Sequence, residues 1–156
     1  MRTSNQPRRR LVLIAAAAAL GVLVTPSLVE ADAGATLSVR VTGLSNGNGS
    51  VLCSLFRSAD GFPGDHRKAY KKAEVTIKGG QATLEFKGLP PGDYAVAAFH
   101  DENGNDELDK GLLGAPIEGW GVSRNPGAKL RAPRWNEASF DVPQGATKKL
   151  NIKLNY

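Results

Sequence analysis

The densest concentration of metal-seeking oxygen in this chain is the run Asp101-Glu102-Asn103-Gly104-Asn105-Asp106-Glu107-Leu108-Asp109. Side-chain oxygens fall at positions 1, 3, 5 and 9 of that run. By that spacing a tightly wound loop turns carboxylate and amide oxygens onto one hard cation, normally Ca²⁺. The expected ligands are Asp101, Asn103, Asn105 and Asp109 through their side chains, and Glu107 through its backbone carbonyl. The pattern departs from an EF-hand at Asp106, where that loop has glycine, and at Leu112, where it has glutamate. No helix pattern flanks it. The expectation is therefore an isolated aspartate-rich loop between strands, holding a structural Ca²⁺ as its cofactor. Charge points the same way, because the acids crowd together with Lys110 as the adjacent cation. Such repulsion calls for a counter-ion or full solvation. The competing reading is a solvated acidic turn in which Asn and Gly simply permit tight backbone.

Other chemistry is thinner. The two histidines are His66 and His100. A zinc site built on both would need two distant loops to converge. The sequence holds no serine in a glycine elbow, no Cys-His pattern and no H-E-x-x-H. No catalytic residue is assigned, and a non-enzymatic role is expected. The alternative is a small-molecule or glycan site built from His100, Glu118, Trp120 and Ser123. Trp120 and Trp135, near Arg124, Lys129, Arg131 and Arg134, could stack on sugar rings. A long loop also needs hydrophobic anchors, and burial of both tryptophans is the favoured reading. Cys53 lies in Ser50-Val51-Leu52-Cys53-Ser54-Leu55-Phe56 and is expected to be a buried, inert thiol.

The elements that must position these groups read as strands. Leu37, Val39 and Val41 alternate with polar residues. So do Ala73, Val75 and Ile77, then Ala82, Leu84 and Phe86. Ser50–Phe56 and Tyr94–His100 are apolar on both faces. Ala138, Phe140 and Val142 alternate, as do Leu150, Ile152 and Leu154. Gly79-Gly80 signals a two-residue hairpin, and Gly88-Leu89-Pro90-Pro91-Gly92-Asp93 signals a hard turn. The pattern predicts an all-β, antiparallel, seven-stranded β-sandwich, immunoglobulin-like or transthyretin-like, with a closed barrel as the alternative. From Asp101 to about Trp135 no strand pattern appears. That stretch carries Leu108, Leu112, Leu113, Ile117, Trp120, Val122, Leu130 and Trp135, too many apolar groups for disorder. It is expected to be one long loop packed on the sandwich.

The first residues read as an export signal rather than as fold. Arg8, Arg9 and Arg10 precede an uncharged apolar run from Leu11 to Val24, too short to span a bilayer comfortably. Ala31-Asp32-Ala33 is a small-x-small cleavage site. Residues 1–33 are thus expected to be a signal peptide and 34–156 a single β-sandwich domain, in the periplasm or outside the cell. The arginines also admit a twin-arginine route. Removing Arg2, Arg8, Arg9, Arg10, Glu30 and Asp32 from 20 basic and 15 acidic residues leaves 16 against 13. The basic pI is partly the signal's, and nucleic acid is not an expected partner. The expected partner is an envelope component or a small ligand, with no stable membrane span after cleavage.

Several motifs together carry a resemblance. They are Ser58-Ala59-Asp60-Gly61-Phe62-Pro63, Phe86-Lys87-Gly88-Leu89-Pro90-Pro91-Gly92-Asp93-Tyr94-Ala95-Val96, and Phe99-His100-Asp101-Glu102-Asn103-Gly104-Asn105 with Leu108-Asp109. Gly114-Ala115-Pro116-Ile117-Glu118-Gly119-Trp120-Gly121-Val122-Ser123 and Asn125 continue the match. The chain resembles the DUF2141 family of exported bacterial proteins over nearly all of the mature segment. The family usually has Asn-Gly where this chain has Asn105-Asp106. Leu-Pro-Pro-Gly-Asp-Tyr is also similar to transthyretin-like and carboxypeptidase regulatory-like β-sandwich modules. The resemblance implies export and a sandwich fold, not an activity. The chain ends Leu154-Asn155-Tyr156, unlike the serine-terminated tail of the transthyretin-related hydrolases.

Overall fold

The structure is a computed structural model and describes residues 34–127 and 131–156. The predicted signal peptide lies outside the described residues, as do Lys129 and Leu130. Among the described residues no helix is long and apolar enough to cross a membrane.

Eight strands form two sheets. In chain order they are β1 (Ala35–Thr42), β2 (Ser50–Phe56), β3 (Lys71–Thr76), β4 (Ala82–Leu89), β5 (Gly92–Asp101), β6 (Trp120–Val122), β7 (Phe140–Val142) and β8 (Thr147–Lys153). The first sheet runs β4-β1-β8 and the second β3-β2-β5-β6, with β7 also paired to β5. Pairing is antiparallel except between β1 and β8, the first and last strands, which run parallel. This is a sandwich-like all-β fold.

The alternating strands do what period-two patterning requires. Leu37, Val39 and Val41 are fully buried, while Arg40 between them is exposed. They meet Leu84 and Phe86 of β4, Ile152 of β8, Val51, Cys53 and Leu55 of β2, and Val96 and Ala98 of β5 in one core. Cys53 is buried within it, and burial pushes its thiol up to about 12. A thiolate is the reactive form, so this cysteine is inert at neutral pH. Gly79 and Gly80 take φ of 58° and 72° and form the expected tight turn, with Lys78 and Gln81 exchanging backbone hydrogen bonds. The strands on either side nevertheless enter different sheets, so the turn is a corner rather than the tip of a full hairpin.

The strand count and the long-loop expectation both need correction. The eighth strand, β6, lies inside the stretch expected to be strandless, and pairs Trp120 with Phe99 and Val122 with Ala97. The predicted strand at Ala138–Val142 is shorter, because Ala138 ends a one-turn helix, α1 (Trp135–Ala138). The outer face of the larger sheet carries a second apolar cluster of Phe56, Ala95, Ala97, Val122 and Ala138. Phe62, Trp120 and Trp135 pack on it, half-buried. Both tryptophans are therefore anchors. This cluster explains why β2 and β5 are apolar on both faces: each is covered on both sides.

Candidate functional site

The acidic loop begins at the end of β5, where the apolar strand stops and Asp101 follows. Asp101 is almost fully buried. Its Oδ1 accepts hydrogen bonds from the amides of Gly104 at 2.8 Å and Asn105 at 3.1 Å, and its Oδ2 from the amide of Asp106 at 2.9 Å. One carboxylate thus winds the next five residues around itself. Asn103 and Asn105 continue the winding, their Oδ1 atoms accepting from the amides two residues on, Asn105 and Glu107. Asp106 takes φ of 63°, the left-handed conformation that aspartate tolerates better than bulkier residues do.

The far end of the loop closes on Asp109. Asn103 Nδ2 donates to its Oδ2 at 2.8 Å and Asn105 Nδ2 to its Oδ1 at 3.0 Å. Asp101, Asn103, Asn105 and Asp109 are therefore parts of one hydrogen-bonded loop. Glu107 is exposed, and its amide is spent on Asn105. Among the described residues, no group of three or more His, Cys, Asp and Glu side chains has metal-holding geometry.

Glu118 joins the loop from outside it. The buried carboxylate accepts from the amide of Glu102 at 2.9 Å through Oε1 and from that of Asp109 at 3.0 Å through Oε2. It straps the start of the loop to its end.

His100 is fully buried just before the loop. Its Nε2 lies 2.7 Å from the carbonyl of Asn48, which can only accept, so Nε2 carries a proton. In the neutral ring Nδ1 then accepts from the Tyr156 hydroxyl at 2.7 Å, whose oxygen accepts from the Ser45 amide at 2.9 Å. Tyr156 thereby seals the histidine and holds the Gly43–Gly49 turn. Gly119 makes room for it, since a Cβ there would strike the Tyr156 ring. Glu102 reaches the same turn, accepting from Ser45 Oγ at 2.8 Å and Asn46 Nδ2 at 2.7 Å, bonds that hold its carboxyl below the usual range.

Ser123 is also fully buried. Its hydroxyl donates to the Ala138 carbonyl at 2.7 Å and accepts from the Val96 amide at 3.0 Å, tying α1 to β5. Trp120 is half-buried beside Phe99. So His100, Glu118 and Ser123 each have their polar atoms engaged inside the protein. A cleft of about 280 Å³ on the outer face of the larger sheet is lined instead by Leu52, Ser54, His66, Lys72, Phe99 and Asp106, among others.

His66 belongs to that cleft. It is half-buried, bonds Ser54 Oγ through Nδ1 at 2.8 Å, and packs its ring on Phe99 at 5.2 Å. Burial, with Lys72 nearby, pushes its imidazole below the ordinary histidine range. Phe99 and His100 are successive strand residues and face opposite sides of the sheet. The two histidines therefore do not converge, and a zinc site shared between them does not form. Sequence reasoning missed Tyr156, Asn48 and the Ser54–His66 pair. Their partners are distant in sequence, His100 and Tyr156 by 56 residues, and no local spacing marks them.

The family model described as an uncharacterized protein conserved in bacteria, DUF2141, matches residues 39–151. The chain belongs to the DUF2141 family. The matched span runs from β1 into β8 and includes the whole acidic loop and Glu118. No curated protein matches the chain, and no solved structure does.

Proposed function

We propose that this DUF2141 protein is an exported, non-enzymatic binding or accessory module of the cell envelope, and that its Asp101–Asp109 loop holds a structural Ca²⁺. The observation that carries the metal reading is convergence. The carboxamides of Asn103 and Asn105 both lie within 3.0 Å of the Asp109 carboxylate, on a loop that Asp101 has already wound. A half-turn of each carboxamide exchanges nitrogen for oxygen. It gives up the bonds to the Asn105 and Glu107 amides and presents two neutral oxygens beside a carboxylate. That is a hard-cation donor set. The left-handed Asp106 supports the reading too, since it supplies the bend for which an EF-hand uses glycine.

The non-enzymatic part rests on the engaged state of His100, Glu118 and Ser123, which leaves no acid, base or nucleophile poised among them. The immunoglobulin-like or transthyretin-like reading of the sandwich draws support from the Tyr94 hydroxyl, which donates to the Pro90 carbonyl four residues upstream at 2.7 Å, as in a tyrosine corner.

Titration calorimetry tests the metal reading. Ca²⁺ should bind with a Kd of roughly 10⁻⁴–10⁻³ M, as for extracellular modules. Asp109→Asn should abolish the heat while leaving the fold intact. A wild-type chain that takes up no Ca²⁺ at millimolar concentration would refute it. Export is tested by intact mass: the exported protein should begin at Gly34, and retention of residues 1–33 would contradict the signal reading.

A further inference from the structure

The cleft that holds His66 draws its lining from three strands and two loops. β2 gives Leu52 and Ser54, β3 gives Lys72 and Glu74, and β5 gives Phe99, while His66 comes from the loop after β2 and Asp106 from the acidic loop. Strand register sets their order. Ser54 lies opposite Lys72, and two residues back Leu52 lies opposite Glu74 on one side and Phe99 on the other. His66 bonds Ser54 and packs on Phe99. Asp106 is held through its amide by Asp101, which pairs with Ser50, one further step along the same face. Asp106 therefore enters from the Glu74 end.

We infer that this cleft binds a small zwitterion of the ω-amino carboxylate kind, its carboxylate at Lys72 and His66, its ammonium between Glu74 and Asp106, and its methylene body on Leu52 and Phe99. The donors at the first end follow from the serine. Ser54 is buried, and His66 Nδ1 is the acceptor its hydroxyl reaches among the described residues. In the neutral ring Nδ1 takes that bond and Nε2 carries the proton, so the imidazole offers an N–H near the Lys72 ammonium. The two ends lie one two-residue strand step apart, roughly 6.7 Å, which a chain of about four methylenes spans.

Charge selects the class. Lys72, Glu74 and Asp106 are exposed, and none of their side chains has an ion pair or hydrogen bond among the described residues. Lys72 and Glu74 stand two apart on one strand face yet do not pair with each other. Lys87 and Glu85 stand in the same relation on β4 and do, at 3.1 Å. An anion alone would meet two carboxylates, and a cation alone would meet Lys72; like charges brought together cost affinity. A molecule that carries both charges satisfies both ends. The inference gives the binding-module reading a ligand class and rests on that reading, but on neither calcium nor export.

NMR titration with δ-aminovalerate tests it, using the chain from Gly34, since every residue of both apolar clusters lies between Ala35 and Leu154. A chelator is present throughout, which keeps calcium binding out of the result. The signals of Leu52, Ser54, His66 and Phe99 should shift together and saturate with a Kd in the millimolar range, as expected of an open cleft with few contacts. Valerate and pentylamine should each bind at least about threefold more weakly, and so should δ-aminovalerate to Lys72→Gln or Glu74→Gln. Both variants change exposed side chains and should keep the wild-type melting temperature. The inference is overturned if δ-aminovalerate gives no saturable shift, if valerate or pentylamine binds as tightly, or if either variant binds like wild type. Calorimetry with Ca²⁺ and intact mass report on the proposed function separately.

Discussion

Asp101–Asp109 and Gly111–Ile117 are neighbours in sequence and opposites in chemistry. In the first, nearly every polar group is spent internally: one carboxylate takes three amides, two carboxamides grip another carboxylate, and Glu118 ties the ends together. In the second, the leucines have nothing to bury against and stand bare. Polar residues on a surface need no internal partner, and apolar ones ordinarily avoid exposure. This excursion inverts both habits. The acidic half is shaped from within, and the apolar half is left uncovered. Substitutions in the two halves should therefore read out in different experiments.

The sharpest break in the comparison is Asp101→Ala. It orphans three amides at the root of the loop, and bonds to a carboxylate are worth about 1.5–3 kcal/mol each before the loop relaxes. A loss of about 3 kcal/mol in chemical denaturation is expected. Glu102→Ala should cost less than about 1 kcal/mol, since its partners Ser45 and Asn46 are exposed. Equal losses for the two variants would mean that Asp101 does not organise the loop.

Gly119→Ala comes next. The added Cβ meets the Tyr156 ring, and overpacking of this kind costs about 1–3 kcal/mol. Combining it with Tyr156→Ala should remove most of the penalty attributable to Gly119, because the two share one clash. Strict additivity would show that Tyr156 does not close over His100 beside Gly119.

A smaller effect is expected at His66, on the opposite face from His100. Its folded imidazole is held low by burial and by Lys72. A depressed folded value means that its contribution is present above the ordinary histidine value of 6.5 and is lost as pH falls through the lower folded value. His66→Gln should flatten the acid side of a stability–pH curve. The wild-type curve would have to be equally flat there for the assignment to fail.

The smallest effect on stability belongs to the tip. Leu112→Asp or Leu113→Asp should change folding stability by less than about 0.5 kcal/mol, because neither side chain is covered. A larger loss in thermal melts would mean that the leucines pack within the protein after all, and would dissolve the contrast between the halves.

Much of this architecture is legible in the sequence where the signal is local and repeated. Leu37, Val39 and Val41 announce their strand by alternation, and Gly79-Gly80 announces its turn. Of the spaced oxygen-bearing residues, Asn103, Asn105 and Asp109 meet through their side chains, while Asp101 spends its carboxylate on backbone amides. β6 is not legible, because Trp120–Val122 is too short to display a period and includes Gly121. Glu118 and His100 stand out in the sequence as candidate ligand contacts, yet their partners are backbone amides, a backbone carbonyl and a tyrosine far along the chain. Composition cannot distinguish a side chain that faces a ligand from one that satisfies buried backbone. Only the tertiary path does.

The most direct test of the account is residue-resolved NMR of the loop with and without calcium. Before calcium is added, the amides of Gly104, Asn105 and Asp106 should already be protected from hydrogen exchange, because Asp101 holds them. On titration to millimolar Ca²⁺, the side-chain carboxamide signals of Asn103 and Asn105 and the backbone signals around Asp109 should shift together, while β1 and β8 stay still. Unprotected amides at 104–106, or carboxamide signals unmoved by calcium, would contradict the claim that this loop is wound by Asp101 to hold an ion.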